Sequence, residues 1–249
     1  MNYFFVLNGK KLKQLTIIIL TSFVSAWFLY IQNFSFGVFS TSDGPKAIYK
    51  GKTGVALTFN ISWGNTKAEP IIDLLVENNV KSATFFLSGS WAEQHPNIVE
   101  KIVKAGYDIG LLGYDYLEYD DIEDVKIRQD LLKAEEAMKK LNVKHKKLVR
   151  APSGHFDSRF VKIADQLGYS VVHWSIDSKD WKNPGVTKIV ENVSQAKKGD
   201  IILFHASDSA KQTAVALPEI INLLKNKHLS LTTVSDMLIE GNANTKEIE

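Results

Sequence analysis

Three short clusters of this chain hold the side chains that could move protons or grip a polar ligand. They read Arg150-Ala151-Pro152-Ser153-Gly154, then Asp177-Ser178-Lys179-Asp180-Trp181, then Leu203-Phe204-His205. His205 ends an apolar run, where a lone His is ordinarily a packed core residue. The Arg150 guanidinium can pair with Asp177 or Asp180, or bind a ligand carboxylate or a sugar oxygen. Trp181 suits stacking on a sugar ring or packing beneath an Asp-rich turn. His155, next to Gly154, puts a second imidazole near the same rim. Spacing limits metal chemistry. The six histidines (His95, His145, His155, His173, His205 and His228) include no pair three or four residues apart, and there are no cysteines. A zinc site of the usual helix or loop spacing is therefore absent.

The clusters need strand ends to hold them. Candidate strands are Gly54–Phe59, Ser82–Leu87, Asp108–Leu112, Lys147–Ala151, Ser170–Ser175, Asp200–His205 and Leu229–Val234. Amphipathic segments alternate with them: Ile71–Asn78, Ile98–Ala105, Val125–Leu141, Arg159–Leu167, Thr187–Val193 and Ala214–Lys225, with apolar residues at i, i+3 and i+4. Gly106 and Gly168 stand where helices should stop before a strand. This alternation predicts a parallel β/α architecture, a barrel or a doubly wound sheet. In barrels the chemistry sits at the C-terminal strand ends, where Arg150, Asp177 and His205 fall. His173 and Trp174 are expected to pack inside a strand, and Trp63 and Trp91 to be core or rim. Glu135 with Lys139 and Glu136 with Lys140 should form i,i+4 pairs on a solvated face.

Composition excludes some partners. The chain has 249 residues, 45% hydrophobic and 23% charged, with a net charge of +2. That is a globular balance, and no basic stripe interleaved with aromatics points to nucleic acid. Residues 15–31 carry no charge and follow Lys10, Lys11 and Lys13. A bilayer needs roughly 20 apolar residues, so 15–33 reads as a transmembrane anchor. The lysines predict a cytoplasmic N-terminus (1–14) and an outward C-terminal domain, on the cell membrane. Val24-Ser25-Ala26 leaves open a cleaved signal peptide and a secreted product. A linker (34–46), a single domain (47–240) and a polar tail expected to fray (241–249) complete the reading.

Taken together, the three clusters in this order resemble the polysaccharide deacetylases of the NodB-homology type, carbohydrate esterase family 4. The resemblance is closest to the sporulation-associated, membrane-anchored subgroup. It implies a distorted (β/α) barrel of seven or eight strands. It further implies hydrolysis of an N-acetyl group by a metal-bound water, with a divalent metal such as zinc as cofactor. Its first motif, Thr-Phe-Asp-Asp-Gly, holds the base and one metal ligand; here the run reads Thr58-Phe59-Asn60-Ile61-Ser62-Trp63-Gly64. The base position is thus Asn60 and the ligand position Ile61. The two remaining ligand positions, histidines in the family, are Leu112 and Tyr116. No cofactor is therefore expected. Arg150 corresponds to the arginine that orients the base, with Pro152 and Gly154 shaping that motif. Asp180, in preference to Asp177, corresponds to the carboxylate holding the catalytic histidine, His205, which is the general acid in the intact family. Leu203 would line the acetyl-methyl pocket, Trp181 would form a groove wall, and Ala206 replaces an Asp.

Three functions remain open from the sequence. One is a deacetylase acting on peptidoglycan N-acetyl sugars. Another is a pseudoenzyme of spore formation that binds or scaffolds cell-wall glycan in the old groove. The third is metal-independent hydrolysis by Asp180 and His205, for which the sequence names no nucleophile. In all, the partners are cell-wall glycan and the membrane, with no nucleic acid.

Overall fold

The computed structural model describes Lys10, Lys13, Gln14, Thr16, residues 19–23, Ser25, residues 46–239 and residues 244–247. It divides into two units, Met1–Ser42 and Asp43–Glu249. In the first, the described positions are helical. Among the described residues no helix is long and apolar enough to cross a membrane. Most of the expected anchor and linker, with Val24 and Ala26 of the cleavage motif, lie outside the described residues.

The second unit is built on parallel strands. Strand β2 (Val55–Ile61) is buried along its whole length, as expected for a run of apolar and β-branched residues covered on both faces. It pairs with β3 (Thr84–Leu87) on one side and β8 (Ile201–His205) on the other. Beyond β3 come β4 (Asp108–Leu111), β5 (Leu148–Val149) and β6 (Ser170–Val171); beyond β8 comes β7 (Ile176–Asp177). A short β9 (Leu231–Thr232) adds to the start of β2. All these pairings are parallel, and the end strands β6 and β7 do not pair with each other. The sheet is therefore a curled half-barrel of seven strands in line, not the closed ladder of a complete barrel. Strand β1 (Lys46–Lys50) bridges Val172 beyond β6 and Asp200 before β8, with a Lys50–Asp200 ion pair at 2.7 Å.

Strand β1 also pairs antiparallel with β10 (Asn244–Glu247). The described part of the tail expected to fray is thus an ordered edge pair, because backbone pairing with β1 needs no apolar side chains.

Alternation along β2 separates two packed regions. Val55, Leu57, Phe59 and Ile61 face the helices α1 (Ala68–Glu77) and α7 (Thr213–Asn226), in one cluster with Ile71, Leu75, Leu217 and Ile220. Phe59 stacks between Phe85 at 5.0 Å and Phe204 at 5.5 Å. Ala56 faces the other way, into a smaller apolar cluster with Phe86, Leu112, Leu148, Val172 and Ile201 inside the curl. Burying both sets drives the chain to this register, since a slip of one residue would exchange them. The remaining helices are α2 (Gly89–Gln94), α3 (Pro96–Lys104), α4 (Asp124–Lys140), α5 (Ser158–Gln166), α6 (Val186–Ser194) and α8 (Val234–Ile239). The expected Glu135–Lys139 and Glu136–Lys140 pairs lie on α4, each at 3.5 Å.

Two carboxylates tie strand-end loops to the frame. Asp130 of α4, itself buried, accepts the backbone N–H groups of Tyr114 (2.8 Å) and Asp115 (2.9 Å) and the Tyr119 hydroxyl (2.6 Å). This fixes the loop that follows β4. Gly113, at φ +73°, lies so close that a Cβ there would fall 2.5 Å from Asp130 Oδ2. Asp208 accepts from the backbone N–H groups of Asn65, Thr66 and Lys67. Those donors lie at the entry to α1, where an anion is favoured, and they hold the Asp208 carboxyl below the usual carboxylate range against a burial that opposes it.

Asp130→Ala leaves two backbone donors and a buried phenol without an acceptor, and should lower stability by about 2–4 kcal/mol in urea unfolding. For Asp208 the folded pKa is depressed, so its contribution is present above the unfolded carboxylate value of about 3.9 and is lost as pH falls through the folded value. Wild type should therefore lose stability toward acid more steeply than Asp208→Asn, measured as melting temperature against pH.

Candidate functional site

The site is assembled at the C-terminal ends of β2, β5, β7 and β8. Register places Asn60 beside His205 and Thr58 beside Leu203 on adjacent strands. Partners in a parallel pair face the same way, so these four side chains share the inner face of the curl, in two tiers. Arg150 follows β5 directly and reaches across the curl toward them.

Arg150 is fully buried. Its Nε and Nη2 donate to the backbone carbonyls of Val172 (3.2 Å) and His173 (3.0 Å). Its Nη1 donates to Thr58 Oγ1 (3.0 Å) and Asn60 Oδ1 (2.8 Å). The guanidinium carbon stands 4.1 Å from the centre of the Phe86 ring and 5.5 Å from that of Trp174. Every partner is neutral, so burial alone acts on the cation and pushes it down to about 9. The ion pair with Asp177 or Asp180 offered by the sequence is not formed. Nor can Arg150 meet a ligand, because no part of it reaches the surface. Asn60 takes the place of a counter-ion with half the electrostatics: it keeps the hydrogen bond and lacks the charge.

Asp180 and His205 form the second half. Asp180 opens a short 3₁₀ turn (Asp180–Lys182) after Lys179, which is left-handed at φ 56°. Its buried carboxylate accepts from His205 Nδ1 (2.8 Å), from the His205 backbone N–H (2.7 Å) and from the Thr213 hydroxyl (2.7 Å). With Nδ1 donating to a carboxylate, neutral His205 presents Nε2 as a lone-pair acceptor. Its side chain is 20% exposed. A carboxylate-oriented imidazole open to solvent can take or give a proton. Asp177 does different work: it accepts the Lys179 N–H at 2.8 Å and shapes the turn.

The rim is partly aromatic. Trp181 is 45% exposed, Trp63 after β2 is 55% exposed and Tyr116 after β4 is 57% exposed. Trp91, in contrast, is buried, donating from Nε1 to the Gly64 carbonyl. His155 sits on the surface, 3.6 Å from Glu118, and is not brought to the dyad. Pro152 is buried; Gly154 turns at φ +86° under Trp174, where a Cβ would approach the ring to 2.3 Å. His173 and Trp174, placed by the sequence inside a strand, lie beyond the end of β6 and pack face to face at 3.7 Å. Burial lowers His173 to about 4, so it adds no charge beside Arg150.

The positions that the resemblance assigns to a dication do not fit one. Ile61 is fully buried in the helix-facing core and Leu112 in the cluster inside the curl. Neither offers a lone pair, and a dication needs oxygen, nitrogen or thiolate donors. Tyr116 is the one remaining heteroatom of the three. Among the described residues no three His, Cys, Asp or Glu side chains converge as a metal would require. Sequence reasoning missed Thr58 and Thr213, which complete the shells of Arg150 and Asp180. It also missed Asp130 and Asp208, since each is tied to its loop only by folding.

Comparison with known proteins supports the geometry. Residues 48–172 match the family model described as polysaccharide deacetylase. A peptidoglycan-N-acetylglucosamine deacetylase of Bacillus cereus is 35% identical over 188 residues, 74% of this chain and 87% of that protein. The uncharacterized protein YlxY of Bacillus subtilis (strain 168) is 32% identical over 200 residues, 79% of this chain; the match spans only 61% of YlxY. Among solved structures, BA3943 of Bacillus anthracis, described as a carbohydrate esterase family 4 pseudoenzyme, has a TM-score of 0.72 at 30% identity, covering 78% of this chain and 69% of that one. A mutant of the same protein is described as having restored enzymatic activity.

Supplying the missing charge should strengthen the fold. Asn60→Asp puts a carboxylate against the buried guanidinium and should raise the melting temperature by roughly 2–6 °C at pH 7. The gain should vanish in acid, as that carboxylate protonates below its unfolded value of about 3.9. Arg150→Lys forfeits most of the fork of hydrogen bonds and should cost about 2–4 kcal/mol.

Proposed function

Because the chain belongs to the polysaccharide deacetylase family, we propose that it binds N-acetylated cell-wall glycan and does not hydrolyse it by a metal-bound water. The observation that carries this reading is that Ile61 and Leu112, two positions that the resemblance assigns to the family's cation, are apolar and fully buried, one in the helix-facing core and the other inside the curl. The residues around them are packed to hydrocarbon, so admitting a dication would strip its hydration with nothing in exchange. What remains is a binding surface. Asn60, His205 and the Leu203 face line its floor, and Trp181 offers an exposed indole to the apolar face of a sugar.

The glycan class is inferred from relatives whose names specify peptidoglycan N-acetylglucosamine. The pseudoenzyme description of a structural neighbour favours binding over turnover. We further place the protein at the cell membrane, held by the apolar segment 15–33 with the domain 47–240 outside the cytoplasm, or released there by cleavage near Ala26. We assign it to spore formation, on the sequence resemblance alone. A second reading, hydrolysis of the N-acetyl group without a metal, is favoured by the Asp180–His205 pair, which keeps the geometry of an acid–base couple. No nucleophile accompanies that pair.

Metal analysis of the purified full-length protein, with acetate release from N-acetylglucosamine oligomers, separates these readings. The expected result is no stoichiometric zinc, no acetate release sensitive to a chelator, and retained binding of the oligomer. Trp181→Ala should weaken that binding about tenfold, measured by calorimetry. Stoichiometric zinc, or acetate release abolished by a chelator, would contradict the proposal. Detection of Met1 in membranes supports the anchor, and a natural N-terminus at Trp27 supports cleavage.

A further inference from the structure

Asn60 differs from the carboxylate it replaces in more than charge, because it turns an acceptor into a donor. Arg150 has no acceptor atoms, so the Asn60 atom lying 2.8 Å from its Nη1 must be the carbonyl Oδ1. This fixes the amide and turns Nδ2, with its two N–H groups, away from Arg150. Among the described residues Nδ2 has no protein partner, and no fully buried side-chain nitrogen or oxygen lacks one. The small exposure of Asn60, 5% of the residue, therefore includes this donor.

His205 supplies the opposite polarity next to it. Its Nδ1 is committed to Asp180, and neutral Nε2 is left as an acceptor with no protein partner among the described residues. Register places the two residues side by side on β2 and β8, facing the same way. The floor thus presents one N–H donor and one nitrogen acceptor, each held by a buried charge behind it: Arg150 behind Asn60 and Asp180 behind His205. A secondary amide carries the complement, one carbonyl and one N–H. An ammonium, which only donates, leaves the Asn60 donor facing another donor. A lone hydroxyl must serve both neighbours from one atom.

We propose that this floor reads the intact acetamido group of a glycan, with Asn60 as the residue that sets the preference for N-acetylated over de-N-acetylated sugar. The inference rests on the glycan-binding reading above and extends it. Asn60 donates to the acetyl carbonyl oxygen, and Nε2 of His205 accepts the amide N–H. In this arrangement the exchange of Asp for Asn at position 60 converts a site suited to a proton acceptor into one suited to recognition.

The test is calorimetric binding of the full-length protein to three β-1,4-linked oligomers of equal length. One is N-acetylglucosamine, one is the same oligomer with its amines free, and one is glucose. The wild-type protein should bind the N-acetylated oligomer about tenfold more tightly than either of the others, the value of one satisfied hydrogen bond against an unsatisfied donor. In Asn60→Asp the preference over the free amine should collapse to near unity. Melting temperature confirms that this variant is folded, and the carboxylate opposite Arg150 favours that. Asn60→Leu, with the donor removed, should likewise lose the preference. Equal wild-type affinity for all three oligomers overturns this inference and leaves glycan binding standing. Full discrimination retained in Asn60→Asp also overturns it. Binding to none of the three overturns both.

Discussion

A guanidinium held out of water without a counter-ion is the constraint around which this domain is arranged. Arg150 spends its hydrogen bonds on two backbone carbonyls near the end of β6 and two side chains of β2. It thereby ties opposite walls of a sheet that has no continuous ladder to close it. A buried charge of this kind is costly, and the four neutral partners with the Phe86 face offset that cost only in part. The residue cannot be removed lightly, because Asn60 Oδ1 and two backbone carbonyls would lose their donor together, while Thr58 would keep only its bond to the Ile202 carbonyl. Arg150 is therefore held in place by its hydrogen bonds, whether or not the site performs chemistry.

The same logic separates Asp180 from the positions that the resemblance assigns to a metal. Asp180 is locked by three donors from His205 and Thr213, so its loss would leave buried hydrogen-bonding groups unpaired. At positions 61 and 112, in contrast, the apolar side chains are buried and leave no polar group unsatisfied. Apolar burial stops short of the strand ends, where Tyr116, Trp63 and Trp181 are exposed.

Much of this could be read from the sequence, and the misses have physical causes. Seven strands and six long helices were legible within a few residues, because β2 and its neighbours are short apolar runs and the helices carry a clear amphipathic period. Strands β1, β7 and β10 were not: Lys46–Lys50 and Asn244–Glu247 pair through backbone and show little apolar pattern, and β7 is only Ile176–Asp177, too short to show a period. The short helix Gly89–Gln94 begins with glycine and has too few turns to show a period. At the site, the Asp180–His205 contact was implied by the family resemblance alone. The isolation of Arg150 did not, because sequence shows which acids are near in the chain and not which are near in space. His155 adjoined the right motif and still points to Glu118 on the surface, for the same reason.

The central claim is that hydrocarbon occupies the place of a dication. Anomalous diffraction at the zinc absorption edge, from crystals grown with excess zinc, tests this most directly. The account predicts no anomalous peak beside Ile61, Leu112 and Tyr116, with Arg150 still bonded to the Asn60 carbonyl. A strong peak with protein donors at about 2 Å in that place would contradict it.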